Sequence, residues 1–357
     1  GTHVGGIMTA AKDNVEMHGV AYNANLLSGD VMSNPQNDNL RTAYNAFVAR
    51  PAIKVINNSW GSEAYLDVIG KSPFAEKDFQ ATLDILQNSI TKNDKVLVFA
   101  AGNDGHPTPE AEPLLPYLRL NTANDAFKTG NTIAGNFISV VSVNPSLDKD
   151  GKPLHYTAVD GQVTSAGIAF VSQFSDLTKY VHENSIAAPG SAIYSTISHA
   201  TEVDQYKEDS GTSMAAPHVS GVAGLVQQAF PYMTGKQIVD TVLSTANNTF
   251  TLPGYTVTVQ TDGPSDPKTR KVNLYYFGAA GSATTDLTAY HAANSENLPL
   301  LSDFLTLPRA VYTNVPRELV FGQGLLDAAA AVKGPAFLDA RRLTADNLSD
   351  ADSFGKK

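Results

Sequence analysis

The chain of 357 residues is 42% hydrophobic and 17% charged, enough apolar surface for a large core and too much for a disordered segment. Its 25 Lys and Arg against 35 Asp and Glu leave a net charge of −10, which gives no general attraction to phosphate backbones or anionic lipid and speaks against nucleic acid as a partner. The absence of cysteine excludes disulfides, thiolate catalysis and Cys-based zinc sites together, and no run reaches the roughly 18 consecutive apolar residues of a membrane helix.

Short apolar runs alternate with amphipathic stretches over the first two thirds, the pattern of an α/β fold in which helices flank a mostly parallel central sheet. The chain opens GTHVGGIMTA, where Val4, Ile7, Met8 and Ala11 mark one helical face. GVAYNANLL predicts a strand, NLRTAYNAFVAR a helix stopped before Pro51, IKVINNS a strand and FAEKDFQATLDILQNSITKND a long helix. KVLVFAAGND reads as a buried strand running into a Gly-Asn turn, residues 105–130 as a Pro-rich surface insertion, and FISVVSVN as another strand. LDKDGKPL predicts a hairpin turn at Asp150-Gly151, since the remaining ligand positions of an EF-hand are missing. From about 248 to 320 the texture changes to two alternating strands around a polar turn, an inserted β-hairpin region. GQGLLDAAAAV predicts a final helix stopped by Gly334-Pro335, so one domain is expected over 1–333 and a linker over 334–357. Such an open α/β layout puts ligands at the carboxyl ends of its strands.

The most informative segment is DSGTSMAAPHVSGVAGLVQQAF. It places Ser213 at the start of a buried helix, where unpaired N–H groups and the positive end of the dipole would stabilise an oxyanion. A plain N-cap serine fits the same position. HENSI at 182–186 starts like a zinc-peptidase helix but has Ile186 where the second His would stand, and G-T-S-M-A lacks the second Gly of an α/β-hydrolase elbow. Asn57-Asn58-Ser59 and Asn247-Asn248-Thr249 fit the glycosylation triplet, but the first reads as a buried strand end.

GTSMAAPHVSG resembles the nucleophile motif of the subtilisin-like serine peptidases, and GTHVGG, INNSWG and VFAAGND resemble three further motifs of that family in the same order. AAPGSAIYST and GQGLLDAAAAV add weaker landmarks, so the resemblance covers about 1–247 and 321–333. It implies a subtilisin-like fold and a peptidase whose nucleophile is Ser213, with the Asn103 amide and the Ser213 N–H binding the oxyanion. It further implies that Ser59, Trp60 and Gly61 offer a strand edge to an extended protein or peptide substrate, with Ala100, Ala101 and Gly102 as the opposite wall. His3 corresponds to the second, structural His of the family's HGTHV pattern, and His218 reads as a packed core residue. The general base and its Asp partner are then expected upstream of Gly1, in a segment whose partnership this chain would need for activity. A chain beginning at Gly1 is also expected to bury its α-amino charge and to leave a gap in the sheet.

No cofactor is required by such a reaction, and structural calcium, frequent in the family, is left open because no ligand spacing is diagnostic. The ending GLLDAAAAVKGP resembles bacterial autotransporter peptidases, which implies a secreted or cell-surface passenger domain. The competing expectation is a non-catalytic member of the same fold acting as a binding or scaffold module, against which the retention of both Ser213 and Asn103 argues.

Overall fold

Apolar runs without polar alternation need cover on both faces, and in the computed structural model of the chain they form its central sheet. The structure describes residues 1–29, 31, 37–61, 81–82, 84–89, 93–104, 109–114, 134–144, 158–159, 162–163, 170–172, 175–178, 181–198, 205–248, 255–260, 271–276, 310–313 and 317–335. In chain order the elements that matter are α1 (Thr2–Thr9), α2 (Asn37–Val48), β1 (Val55–Asn58), β2 (Val96–Ala100), β3 (Phe137–Asn144), β4 (Phe170–Val171), β5 (Ser185–Pro189), β6 (Ile193–Thr196), β7 (Tyr206–Asp209), α3 (Thr212–Ala229) and α4 (Gly235–Ser244). They are followed by β8 (Tyr255–Gln260), β9 (Lys271–Tyr276) and β10 (Ala310–Thr313).

β1, β2, β3 and β5 pair in parallel in that order, and β4 pairs antiparallel with the end of β3. All five residues of β2 are buried. α3 lies across this sheet and packs Val219, Val222 and Val226 against Val96, Val98, Val140 and Ile186. Each such fully buried Val contributes about 1.5–3 kcal/mol relative to an exposed one. α4 adds Ile238, Val239 and Val242 to the same core, and a reciprocal capping box between Thr234 and Gln237 starts it. The fold is α/β, with a mostly parallel sheet flanked by helices.

The glycines of GTHVGG explain how α1 reaches its place. A Cβ on Gly6 would stand 2.2 Å from Thr196 Oγ1 and 2.5 Å from Ser195 Oγ, so only glycine lets α1 approach β6 this closely. Ser195 Oγ donates to His3 O at 2.8 Å, and His3 Nε2 donates to Lys207 O at 3.0 Å across the β6–β7 hairpin. Gly1 itself is exposed, so the expected burial of an α-amino charge does not occur.

Several local expectations change. GVAYNANLL is not a strand: Gly19, Val20 and Ala21 give their N–H groups to Ala10, Ile7 and Met8 carbonyls at the end of α1, which leaves these donors unable to form a ladder. α1 ends at Thr9, leaving Ala11 exposed beyond it. Within the expected surface insertion, residues 109–114 are buried, with Ala111 and Leu114 in the core. The expected final helix is a single turn, Ala328–Ala331, because Gly322 and Gly324 adopt positive φ, and Gly322 and Leu325 bridge to Ile186 and Ala187 instead of continuing a helix. The expected hairpin over 248–320 is present as β8 and β9, and β10 joins it to make a three-stranded antiparallel sheet. Residues 84–89 of the expected long helix are helical, while the rest of it, apart from 81–82 and 93–94, and the Asp150-Gly151 turn lie outside the described residues.

Candidate active site

The carboxyl ends of β1 and β2 run out on either side of the start of α3, and this junction brings the sequence-selected residues together. Ser213 is the second residue of α3, after Gly211, which supplies no side-chain cap. Its Oγ reaches only Ser59 O, at 3.5 Å, and its N–H has no acceptor among the described residues. Pro217 lies one turn on and has no N–H for the Ser213 carbonyl, which would otherwise lose its helical partner. Ser59 supplies the replacement, donating its hydroxyl to Ser213 O at 2.8 Å.

That contact ends a relay through β1. Ser220 Oγ donates to Asn57 Oδ1 at 2.8 Å, and Asn57 Nδ2 donates to Ser59 Oγ at 2.9 Å. The Asn57-Asn58-Ser59 triplet is therefore spent on internal bonding. Asn58 is 1% exposed and accepts from Tyr44 Oη at 2.6 Å and Trp60 Nε1 at 3.1 Å. Trp60 also packs edge-on against Phe99, whose ring stacks on Phe137. Burial pushes the Tyr44 hydroxyl far above its usual range, so it stays protonated and remains a donor to Asn58.

Asn103 follows β2 on the other side. Its Oδ1 accepts from the Thr212 N–H at 2.8 Å and from Thr212 Oγ1 at 3.0 Å. A backbone N–H can be met only by an acceptor, so this contact decides which end of the amide faces Thr212 and leaves Nδ2 as a donor not used on Thr212. Gly102 has φ +121°, and a Cβ there would lie 2.0 Å from Asp176 Oδ2. The two walls differ in their main chains. Ala101 O accepts from Glu110 N at 2.7 Å and Gly102 O from Asp176 N at 3.0 Å, so the Ala100–Gly102 wall has two carbonyls already engaged. Along Ser59–Gly61 the only main-chain acceptor in use among the described residues is Ser59 O, toward Ser213.

Three of the described histidines, His3, His18 and His218, are bonded away from Ser213. His18 Nδ1 donates to Gly19 O at 3.0 Å and His218 Nδ1 to Met214 O at 2.9 Å, and with His3 on Lys207 none of the three is hydrogen-bonded to Ser213. Burial holds His218 below the ordinary imidazole range, against a smaller opposing effect of the Met214 carbonyl. Beside the site, a cavity of about 480 Å³ runs along the edge of β1 away from β2. Gly1, Val4 and Met8 of α1, Tyr44 and Phe47 of α2, and Gly224 of α3 line it, Gly1 standing just before α1, and it reaches Ser59. Among the described residues no group of His, Asp and Glu side chains is placed to hold a metal ion, and no helix is long and apolar enough to cross a membrane.

Sequence reasoning gave Thr212, Asn57 and Glu110 no place in the site. Thr212 stood inside the GTSMAAP motif and Asn57 inside INNSWG, where their position beside selected residues was the available signal. Glu110 had none.

Comparison with known proteins gives the family. The profile of the Subtilase family of peptidases matches residues 1–279. An extracellular serine protease of Serratia marcescens is 29% identical over 302 residues, covering 70% of this chain and 25% of its own length. Subtilisin DY of Bacillus licheniformis is 27% identical over 250 residues, 70% of each chain. Among solved structures, sphericase is 22% identical and aligns over 68% of both chains with a TM-score of 0.46. The chain spans about a quarter of the length of the Serratia relatives it matches.

Proposed function

The chain belongs to the subtilase family, and from that premise we propose that it is the nucleophile-bearing part of a serine endopeptidase acting on extended protein substrates. The observation that carries the reading is the hold of Asn103 Oδ1 on the Thr212 N–H, which leaves Asn103 Nδ2 and the N–H of Ser213, the next residue, without an acceptor among the described residues. In this mechanism Ser213 Oγ attacks the peptide carbonyl and gives its proton to an imidazole, while the two donors receive the oxyanion. Collapse expels the amine, which takes that proton, and the acyl group stays on Ser213 until water releases it. The substrate lies along Ser59–Gly61, where main-chain groups remain for pairing, and Ala100–Gly102 acts as a wall by shape.

The imidazole and the carboxylate that orients it come, in this proposal, from a segment preceding Gly1. The cavity supports this placement, since it follows the outer edge of β1, is bordered by Gly1 and ends at Ser59. A strand laid there would pair with β1 and fill the space between α1 and α2. Secretion is supported by the extracellular Serratia relative. Export as an autotransporter passenger extends that proposal on the resemblance of GLLDAAAAVKGP alone.

The test is labelling by a fluorophosphonate probe at neutral pH. The protein carrying its preceding segment should label at Ser213, located by peptide mass spectrometry, and the Ser213→Ala variant should not. A chain starting at Gly1 should label little. Failure of the longer protein to label would favour the non-catalytic scaffold.

A further inference from the structure

We propose that Asn57 and Ser220 are positioning residues for the nucleophile, acting through Ser59 to hold the main chain of Ser213. The inference rests on the peptidase reading above for the role of Ser213. It begins at Pro217, which has no N–H, so that Ser213 O needs another donor, and the Ser59 hydroxyl meets it at 2.8 Å. A carbonyl only accepts and a hydroxyl has one proton to give, so Ser59 Oγ can only accept from its other partner. That partner is Asn57 at 2.9 Å, which must therefore turn Nδ2 toward Ser59 and Oδ1 away from it. Oδ1 in its turn can only accept, and Ser220 Oγ donates to it at 2.8 Å. One missing N–H thus fixes the direction of three hydrogen bonds.

The spacing of these residues lets the relay close. Asn57 and Ser59 are two apart at the carboxyl end of β1 and share one face, whereas Asn58 between them turns to Tyr44 and Trp60. Ser213 and Ser220 are seven apart on α3, two turns along the same side of the helix. The relay leaves α3 at Ser220, crosses the end of β1 and returns to α3 at Ser213, spanning the turn that Pro217 leaves short of a bond. Ser59 also touches the attacking group, since its carbonyl is the acceptor that Ser213 Oγ reaches at 3.5 Å. A shift of Ser59 therefore moves both the main chain and the hydroxyl of the nucleophile. Hydrogen bonds aligned in one sense strengthen one another, so loss of an outer member weakens the last one, on Ser213 O.

The experiment uses the protein with its preceding segment and compares Ser220→Ala, Asn57→Ala, Ser59→Ala and the pair Ser59→Ala with Ser220→Ala. Ser220→Ala removes one hydroxyl two turns from the nucleophile. It should lower kcat on an extended peptide about threefold to tenfold at unchanged KM, and slow fluorophosphonate labelling of Ser213 by the same factor. Asn57→Ala should behave alike, and Ser59→Ala should lose at least as much kcat. In the pair, Ser220→Ala should add nothing to Ser59→Ala because the relay is already cut, whereas a contribution to packing alone would add in full. Thermal melting identifies any variant that does not fold, and Ser220→Ala, the smallest change, carries the test if Asn57→Ala fails to fold. Labelling of the folded variants at the wild-type rate, full additivity in the pair, or a raised KM at unchanged kcat in Ser220→Ala would overturn this proposal alone. A wild-type protein that never labels would overturn the peptidase reading and this proposal with it.

Discussion

At the amino ends of the parallel strands, polar groups close on one another. Lys95, 2% exposed, donates its ammonium to the carbonyls of Arg50 and Ile53. Asp94 takes Lys54 Nζ at 2.5 Å, the Gly235 N–H at 2.9 Å and Asn136 Nδ2 at 3.4 Å, and so also neutralises the start of α4. At the carboxyl ends Asn103 uses its oxygen on Thr212 and keeps its Nδ2, and Ser213 keeps its N–H. Similar polar chemistry thus fastens the sheet at one end and leaves donors in hand at the other, and an unspent donor is what separates a proposed site from a fastening.

Substitutions at each end sharpen this contrast. The largest effect is expected from Ser213→Ala, which should lower peptide turnover by about six orders of magnitude with an unchanged melting temperature. Asn103→Ala should follow, with about 10²–10³-fold lower kcat and little change in KM, because the lost donor acts on the oxyanion and not on the bound substrate. At the opposite end Asp94→Ala should cost about 1–2 kcal/mol in urea denaturation and leave kcat/KM unaltered. Equal losses of stability from the Asn103 and Asp94 variants would break the comparison.

The smallest effect concerns His218 on α3. Burial lowers its native pKa below the unfolded value near 6.5, so the native state holds it neutral while the unfolded chain takes up a proton. Stability from this group is therefore full above about pH 6.5 and falls as the pH drops from there toward the native value. His218→Gln should flatten that part of the profile, read from denaturation midpoints between pH 7.5 and 5. A wild-type profile that rises on acidification through this window would contradict the assignment.

Where a segment's own pattern matched the neighbours it meets, the sequence was readable. FISVVSVN is β3 residue for residue, because a run apolar on both faces suits only a central strand. TSMAAPHVSGVAGLVQQA is α3 for the same reason, its small residues permitting close packing and its valines marking the buried side. GVAYNANLL has strand composition but spends its first N–H groups on α1, which no local pattern reports. Likewise the glycines of GQGLL turn an apolar helix-like run into a segment bridged to β5.

The sequence by itself determined the family resemblance and the proposed nucleophile and oxyanion amide, since those reside in contiguous motifs whose order along the chain is visible. Only the tertiary structure decided that Thr212 orients Asn103, that Ser59 replaces the bond Pro217 cannot make, and that Asn57 links Ser59 to Ser220. Each of these depends on atoms from segments that meet only when the sheet is assembled. Hydrogen-bond direction is a property of that meeting, and no residue carries it alone.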